Sequence, residues 1–256
     1  MNLSGISNQK LFGKIVRLPL RLIPAQARIR IVQGRLRGKR WIVGSSTHGC
    51  WLGSYEFEKQ QVFEREVVTG DVVFDVGAHV GFYTLLAAEL VGATGKVYAF
   101  EPVPRNLIHL KEHLRLNHVE NVTVIEAAVS ESCGTATFDE SSHSTEGSLS
   151  SDGKLRVRTV ALDVLVARSD LPMPDCIKID IEGAEMSALS GAQSVLMNAR
   201  PTILLATHGR EVQRQCCQFL KELGYELQAI DGTGGDIEDT DELLARHVGK
   251  MRSAAA

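Results

Sequence analysis

The sequence predicts an α/β protein with a doubly wound, mostly parallel sheet and an N-terminal extension that contains a helix and a hairpin. After residue 70, short β-branched runs alternate with stretches of helical spacing, which is typical of a parallel sheet covered on both faces. One of these runs leads through a glycine turn directly into a helix. Residues 1–40 differ from the rest, because they hold ten Lys or Arg residues and no Asp or Glu. We therefore expect an extension over 1–60 and one α/β domain over 61–256.

The composition is typical of a protein without a membrane span. A chain of 256 residues, 44% of them hydrophobic, can bury one substantial core. No apolar run approaches the ~18 residues of a membrane span, and Lys14, Arg17 and Arg21 interrupt the N-terminal apolar patch, which excludes a signal-peptide core. The five cysteines lack Cys-x-x-Cys spacing, so neither a disulfide framework nor a zinc site is indicated. We expect a cytoplasmic protein.

The basic extension contains two predicted elements. Leu11, Ile15 and Leu18 recur at helical spacing until Pro19, which predicts one short amphipathic helix. Residues 27–43 then alternate apolar and basic side chains around glycines, as a hairpin with one solvated face would. The positive charge predicts attraction to an acidic surface, such as an anionic lipid or an acidic carrier protein, and we expect no specific nucleic acid partner. The alternative is a solvated face without a partner.

The α/β domain is predicted to alternate strands with crossover helices. The strands are expected at 72–76, 97–101, 122–126, 176–181, 202–206 and 225–230. The helices are expected at 82–91, 104–117, 185–198 and 210–223. In the third connection, GTATF and KLRVRTVAL predict a hairpin, and its serine-rich tip at 139–153 is either a lid over a bound substrate or a mobile hairpin end.

The motif VVFDVGAHVGFYTLLAAEL, residues 72–90, predicts a site for a nucleotide-like ligand. Gly77 and Gly81 let the backbone turn sharply and approach the ligand, and the helix start presents unpaired amides. Asp75 would repel the pyrophosphate that a dinucleotide places at this turn, whereas S-adenosyl-L-methionine carries an ammonium, a sulfonium and no phosphate. Glu101 lies 26 residues beyond Asp75, where an acid can accept hydrogen bonds from both ribose hydroxyls. These residues together predict S-adenosyl-L-methionine as the cofactor.

Six segments of the chain resemble the FkbM-type S-adenosylmethionine-dependent methyltransferases. In chain order they are HGCWLGSYE (48–56), DVGAHVGFYT (75–84), FEPVPRN (100–106), TVALDVL (159–165), IKIDIEGAE (177–185) and RPTILLATHG (200–209). The resemblance implies a class I methyltransferase (Rossmann-like) fold for the domain at 61–256, with a seven-stranded sheet whose last strand is antiparallel. It also implies methylation of a hydroxyl group on a sugar, glycolipid or polyketide-type acceptor.

The resemblance further implies a set of cofactor contacts. They are Asp75, Gly77, Ala78, His79, Gly81, Tyr83, Thr84, Glu101, Pro102 and Asn106. The chain departs from the family pattern at two positions. His79 stands where the family commonly has asparagine, which keeps a hydrogen-bonding side chain in the loop. In the segment at 200–209, Ala206 stands where the family often has a glutamate two residues before the histidine, so this chain lacks any role that depends on that glutamate.

Three residues are candidates for catalysis. Asp180 and Glu182 lie at the carboxyl end of a predicted strand, the end at which ligands bind in open parallel sheets. Asp180 or Glu182 could take the acceptor's proton, and His208, which follows the next strand, could do so while a carboxylate fixes its tautomer. Asp180 could instead contact the methionine ammonium, and Glu182 could cap the amides of a helix start. Glu185 is expected in the first turn of a helix, where its charge complements the helix dipole. Two carboxylates and a histidine can hold a divalent ion, but this spacing does not require one, and we predict no metal.

Two other classes of protein explain part of the sequence. A nicotinamide-dependent oxidoreductase would use the strand, glycine turn and helix, but it would not place Asp75 beside a pyrophosphate. A non-catalytic module that binds a membrane or a carrier protein would explain the basic extension, but not the acids at three strand ends. A methyltransferase accounts for the acids and the glycine turn together.

Overall fold

The computed structural model describes residues 23–140, 147–149, 155–230, 237 and 240–249. The extension forms β1 (Arg28–Arg30), β2 (Arg40–Ile42), a 3₁₀ turn at Val43–Ser45, α1 (His48–Leu52) and α2 (Phe57–Glu66). β1 and β2 pair antiparallel, which confirms the predicted hairpin. Two of its basic residues form ion pairs with helices of the α/β domain, Arg28 with Glu112 at 3.0 Å and Lys39 with Glu89 at 2.7 Å. Part of the positive charge is therefore used inside the molecule.

The α/β domain alternates strands and helices from Val72 onwards. In chain order it contains β3 (Val72–Val76), α3 (Phe82–Val91), β4 (Lys96–Phe100), α4 (Pro104–Leu116), β5 (Val122–Ile125), β6 (Ala128–Val129), β7 (Gly134–Glu140), β8 (Gly147–Leu149), β9 (Leu155–Val160), α5 (Leu162–Ala167), β10 (Cys176–Ile179), α6 (Glu185–Ser190), α7 (Gln193–Ala199), β11 (Thr202–Ala206), α8 (Arg210–Glu222), β12 (Tyr225–Ala229) and β13 (Glu242–His247).

Seven strands form the central sheet in the order β12-β13-β11-β10-β3-β4-β5. β13 runs antiparallel to both of its neighbours, and the other contacts are parallel. This arrangement confirms the predicted fold, including the antiparallel last strand. Ile179 pairs with Val76 on one side and with Leu205 on the other. The segments that follow β3, β10 and β11 therefore meet at one edge of the sheet.

The sheet is central because its strands are apolar on both faces. All residues of β10 and β11 are buried, and α3 buries nine of its ten residues. Continuous burial is expected for strands that helices cover on both sides, and Lys178 is the charged residue within β10. The core on one face extends into the extension, where Trp41 and Phe63 are fully buried. The extension thus packs against the sheet's helices.

The helices α1, α2 and α5 were not predicted, and two further features differ from the prediction. The single helix expected at 185–198 is two helices, α6 and α7, because the chain at Gly191 passes so close to Ser130 that a Cβ atom would lie 2.1 Å from its carbonyl oxygen. β13 was not predicted, since its sequence ELLARH contains no β-branched residue.

A second, four-stranded sheet has the order β6-β9-β7-β8. Its antiparallel pair β7 and β9 confirms the hairpin predicted in the third connection, and β8 lies within the predicted tip. The rest of that tip, the predicted helix before Pro19 and the last residues lie outside the described residues. The lid and the attraction of the extension to an acidic surface stay predictions. None of the described helices has the length and apolarity that crossing a membrane requires.

Candidate active site

The turn after β3 approaches the end of β10 so closely that only glycine fits at position 77. Gly77 has a φ of +81°, and a Cβ atom there would lie 1.9 Å from the carbonyl oxygen of Asp180. Lys178 Nζ donates a hydrogen bond of 2.9 Å to the carbonyl oxygen of Gly77. His79 continues the turn with a φ of +51°. The turn is thus held against the strand end that carries Asp180.

Glu101 is buried at the end of β4 and anchors the same turn. It accepts hydrogen bonds from the backbone amides of His79 (2.8 Å) and Val103 (2.9 Å) and from Asn106 Nδ2 (3.1 Å). Burial raises the pKa of Glu101, while these hydrogen bonds oppose the rise by favouring the ionised form. A carboxylate offers about four acceptor positions, so about one remains. Acceptor capacity is thus left on Glu101, and its contact with the ribose stays a prediction.

Asp75 lies behind the turn, whereas the sequence predicts a direct contact with the ligand. The side chain is fully buried, accepts a 2.6 Å hydrogen bond from Thr84 Oγ1 and lies 3.5 Å from Lys178 Nζ. The physical reason is that Lys178 and Thr84 compensate this carboxylate within the protein, since a buried charge needs such partners. Asp75 thus supports Lys178, which in turn binds the Gly77 carbonyl.

Gly81 and Thr84 are also behind the cavity and do not contribute to its wall. Gly81, with a φ of +94°, allows α3 and α4 to approach, because a Cβ atom there would lie 2.5 Å from Leu110 Cδ1. Thr84 is fully buried and donates a hydrogen bond to Asp75. Both residues shape the turn from behind the cavity wall, and their predicted contacts with the cofactor stay predictions.

His208 lies between carboxylates at the end of β11. Its Nδ1 is 2.8 Å from Glu185 Oε1, so Nδ1–H donates to that carboxylate. Its Nε2 lies 3.3 Å from Glu182 Oε2 and 3.9 Å from Asp180 Oδ1. Glu185 is fully buried and also accepts from the Gly183 amide at 3.0 Å. The sequence assigned Glu185 a structural role only, but it is the carboxylate that fixes the tautomer of His208.

The charges of this group are strongly coupled. The hydrogen bond to Glu185, together with the charges of Glu182 and Asp180, raises the pKa of His208 to about 9, although burial opposes the rise. Burial alone would raise the pKa of Asp180, but Lys178 and Lys59 hold it well below its usual range. At neutral pH His208 is therefore a cation and Asp180 an anion. Asp180, Glu182 and His208 could also hold a divalent ion, since one ligand atom of each lies within 4.8 Å of the others, and the absence of a metal stays a prediction.

One cavity at the carboxyl edge of the sheet joins these groups. The predicted site residues in its wall are Gly77, Ala78, His79, Tyr83, Glu101, Pro102, Asn106, Asp180, Glu182 and His208. Residues that sequence reasoning missed also contribute to the wall, among them Ser46, Cys50, Tyr55 and Glu56 of the extension, Lys178 of β10 and Glu242 of β13. The described wall carries five carboxylates against three cations, Arg105, Lys178 and the protonated His208. This excess of negative charge favours a cationic ligand and disfavours a pyrophosphate.

His113 connects the extension to the glycine turn. Its place on a helix that also carries His109 predicts a surface residue, but this is wrong: His113 is fully buried, because its ring stacks on Trp41 of the extension. Nε2 accepts a hydrogen bond from the Ile42 amide (3.1 Å), so Nδ1–H donates to the Val80 carbonyl oxygen (2.8 Å). Burial lowers the pKa of His113 to about 4. One neutral imidazole therefore bridges β2 and the turn.

The sheet order with one antiparallel strand, the glycine turn after β3 and the buried acid at the end of β4 define a class I methyltransferase. Residues 75–227 match the family model described as methyltransferase FkbM domain, and the chain belongs to this family. The predicted family membership is therefore confirmed.

Similar proteins agree with this class. Hexuronic acid methyltransferase AglP of Haloferax volcanii is 28% identical over 142 residues, which are 55% of this chain and 57% of that protein. The protein-L-isoaspartate O-methyltransferase of Ignicoccus hospitalis is 38% identical over 60 residues, 23% of this chain and 28% of that one. The crystal structure of methyltransferase FkbM from Methylobacillus flagellatus KT superposes with a TM-score of 0.53 at 21% identity, over 70% of this chain and 44% of that chain, which supports the fold. The matches thus span about half or less of each relative.

S-adenosyl-L-methionine is the methyl donor for this class of enzyme, and the described residues fit it. The turn residues Gly77, Ala78 and His79 line the cavity, where a donor can approach their backbone. Glu101 and Asn106 would hold the nucleoside, and the acidic wall suits the positive charge of a sulfonium. The predicted cofactor is thus confirmed for the class, and its residue contacts stay predictions.

Proposed function

We propose that the protein is an S-adenosyl-L-methionine-dependent O-methyltransferase that acts on a hydroxyl group of a sugar-type acceptor. The observation that carries the proposal is the position of the His208–Glu185 pair in the same cavity as the glycine turn, with Asp180 and Glu182 beside Nε2. A base next to a donor site is what an alcohol requires, because it is a poor nucleophile until its proton is removed. The relative from Haloferax volcanii, named for a hexuronic acid, supports a sugar-type acceptor.

The residues of this chain supply base catalysis and positioning. When bound, S-adenosyl-L-methionine supplies a methyl group on a positively charged sulfur. His208 Nε2 would take the proton of the acceptor hydroxyl, so that the oxygen could accept the methyl group that the donor supplies and S-adenosylhomocysteine would leave. Glu185 holds Nδ1–H, so Nε2 is the nitrogen that exchanges a proton. Asp180 and Glu182 stabilise the imidazolium that forms.

The protonation state of His208 determines the pH range in which it can act as a base. The carboxylates that stabilise its cation raise its pKa to about 9, so most of the free protein at neutral pH carries the imidazolium. Only the neutral imidazole can accept a proton. A positive ligand in the cavity lowers the pKa of His208, because like charges repel. The same carboxylates that hold the histidine in place therefore limit its basicity until the site is filled.

A labelled-donor assay tests the proposal. The purified chain is incubated with methyl-¹³C S-adenosyl-L-methionine and a panel of acceptors: a uronic acid glycoside, a neutral hexoside and a glycolipid. NMR of the product then locates the methyl group. We expect an O-methyl signal on at least one acceptor and its loss in His208→Ala, whereas the control His118→Asn, at an exposed position, retains it. A methyl group found on nitrogen, or none transferred to any acceptor, would contradict the proposal.

A further inference from the structure

Lys59 lies outside the segment that matches the family model, yet its side chain reaches the candidate active site. It belongs to α2, and its side chain is 2% exposed. Its ammonium lies 2.8 Å from Glu242 Oε1, 3.1 Å from Asp180 Oδ2 and 3.3 Å from Glu56 Oε2. Acids from the start of α2, the end of β10 and the start of β13 thus converge on one buried cation.

The contact with Lys59 fixes the direction of Asp180. A carboxylate is planar, so binding of Oδ2 determines where Oδ1 lies. Oδ1 is the oxygen on the side of His208, at 3.9 Å from Nε2. Lys178 is 3.7 Å from the same Oδ2 and donates its hydrogen bond to Gly77 instead. The hydrogen bond that holds Asp180 from the protein side is therefore that of Lys59.

Stability alone is a poor explanation of this arrangement. Removing charges from water is costly, and even with Lys178 at 3.7 Å from Asp180, two ammonium groups face three carboxylates. Burial would lower the pKa of Lys59, but Asp180, Glu56 and Glu242 raise it above its ordinary value, so Lys59 remains a cation. A group of charges with this excess of acid is more typical of a functional site than of a stabilising ion pair.

We propose that Lys59 is a positioning residue for methyl transfer, which holds Asp180 Oδ2 so that Asp180 Oδ1 stays beside His208. The proposal rests on the proposed function. Lys59 is not part of the cavity wall, so it acts through Asp180 and not on the donor or the acceptor. The extension then contributes to catalysis from outside the matched segment.

Kinetics of the full chain test this role. Lys59→Met keeps most of the side-chain volume and removes the charge, and Lys59→Arg keeps the charge. Lys111→Met is the matched control, because Lys111 is an exposed lysine paired with Glu126 at 2.7 Å. We expect Lys59→Met to lower kcat about 10- to 100-fold, with the acceptor KM and the S-adenosylhomocysteine Kd changed less than about threefold. Lys59→Arg should recover part of kcat, and Lys111→Met should match wild type.

A double-mutant cycle decides whether Lys59 acts through Asp180. Adding Lys59→Met to Asp180→Asn should slow the reaction no further, since interacting residues are not additive. A wild-type kcat in Lys59→Met, or losses that multiply in the double variant, would overturn the proposal.

The double-mutant cycle of Lys59 and Asp180 can also be measured by the free energy of unfolding in urea, which requires no acceptor. Lys59→Met should destabilise the wild type at least twice as much as it destabilises Asp180→Asn, and equal destabilisation would overturn the pairing. If the wild type transfers no methyl group, the proposed function fails, while this cycle still reports on Lys59. If Lys59→Met does not fold, Lys59→Arg replaces it, and its longer guanidinium group should give the same cycle with a smaller amplitude.

Discussion

Lowering the pH from 7 to 5 should weaken the link between the extension and the glycine turn, because the link depends on a neutral His113. In the folded protein both ring nitrogens are used, Nε2 as an acceptor for the Ile42 amide and Nδ1–H as a donor to Val80. A proton added at Nε2 would face the Ile42 amide hydrogen. The ring of Trp41 stacks on that of His113, with 3.8 Å between the ring centroids, and His113 is fully buried. Water therefore cannot solvate the added charge.

The size of the effect follows from the two pKa values of His113. Burial lowers the folded pKa to about 4, and the unfolded value is about 6.5. The contribution to stability is fully present above the unfolded pKa and is lost as the pH falls towards the folded pKa, because the unfolded chain then binds the proton first. Between pH 7 and pH 5 the loss is about 2 kcal/mol. This is a large share of the roughly 5–15 kcal/mol that stabilises a typical domain.

Urea unfolding at pH 7 and pH 5 measures the loss. His113→Gln cannot be protonated, so its unfolding free energy should fall by about 2 kcal/mol less than that of wild type over this interval. Other titrating groups contribute equally to both proteins and cancel in the comparison. His118→Asn, which removes an exposed imidazole at a φ of +52°, should behave like wild type. An equal loss in wild type and His113→Gln would refute the account of His113.

Three further predictions concern the site. His208→Ala and Asp180→Asn should each lower kcat about 10²–10⁴-fold in a steady-state assay and change S-adenosylhomocysteine affinity far less; unchanged rates would remove both from the chemistry. Because the pKa of His208 is raised to about 9, kcat/KM should rise between pH 7 and 9 and lose this rise in His208→Ala, so a flat wild-type profile would contradict the role of a base. Gly77→Ala should abolish S-adenosylhomocysteine binding and lower the unfolding free energy more than Gly38→Ala does. Gly38 has a φ of +89° and open space around it, so its substitution measures only the roughly 1–3 kcal/mol of backbone strain. Equal losses in the two variants would refute the close approach at Gly77.

The strands and the glycine turn could be predicted because their signals are local. β3 and α3 have the predicted bounds, since an apolar run, a turn glycine and a helical run follow each other directly in the sequence. The acids of IKIDIEGAE were correctly placed at the carboxyl edge because parallel strands share that edge. Asp180, Glu182 and His208 therefore came together in one cavity as expected.

The remaining parts of the site depend on contacts between distant residues. Lys59 lies 121 positions before Asp180 and 183 before Glu242, and nothing in its own segment indicates such partners. Lys178 could have been noticed, because a lysine inside the buried strand CIKI requires a partner. The position of Asp75 behind the turn depends on its contacts with Thr84 and Lys178. Thr84 belongs to the glycine motif and Lys178 to another strand, and the sequence does not show that both contact Asp75. Packing decides these details.

Calorimetric titration of the purified chain with S-adenosylhomocysteine and, separately, with NAD distinguishes a methyl-donor site from a dinucleotide site. We expect about one S-adenosylhomocysteine to bind per chain and no heat from NAD, because the acidic wall repels a pyrophosphate. Glu101→Gln should weaken S-adenosylhomocysteine binding by roughly 1.5–3 kcal/mol, the range for a hydrogen bond to a charged group. Binding of NAD together with no response to S-adenosylhomocysteine would contradict the claim that this cavity holds a methyl donor.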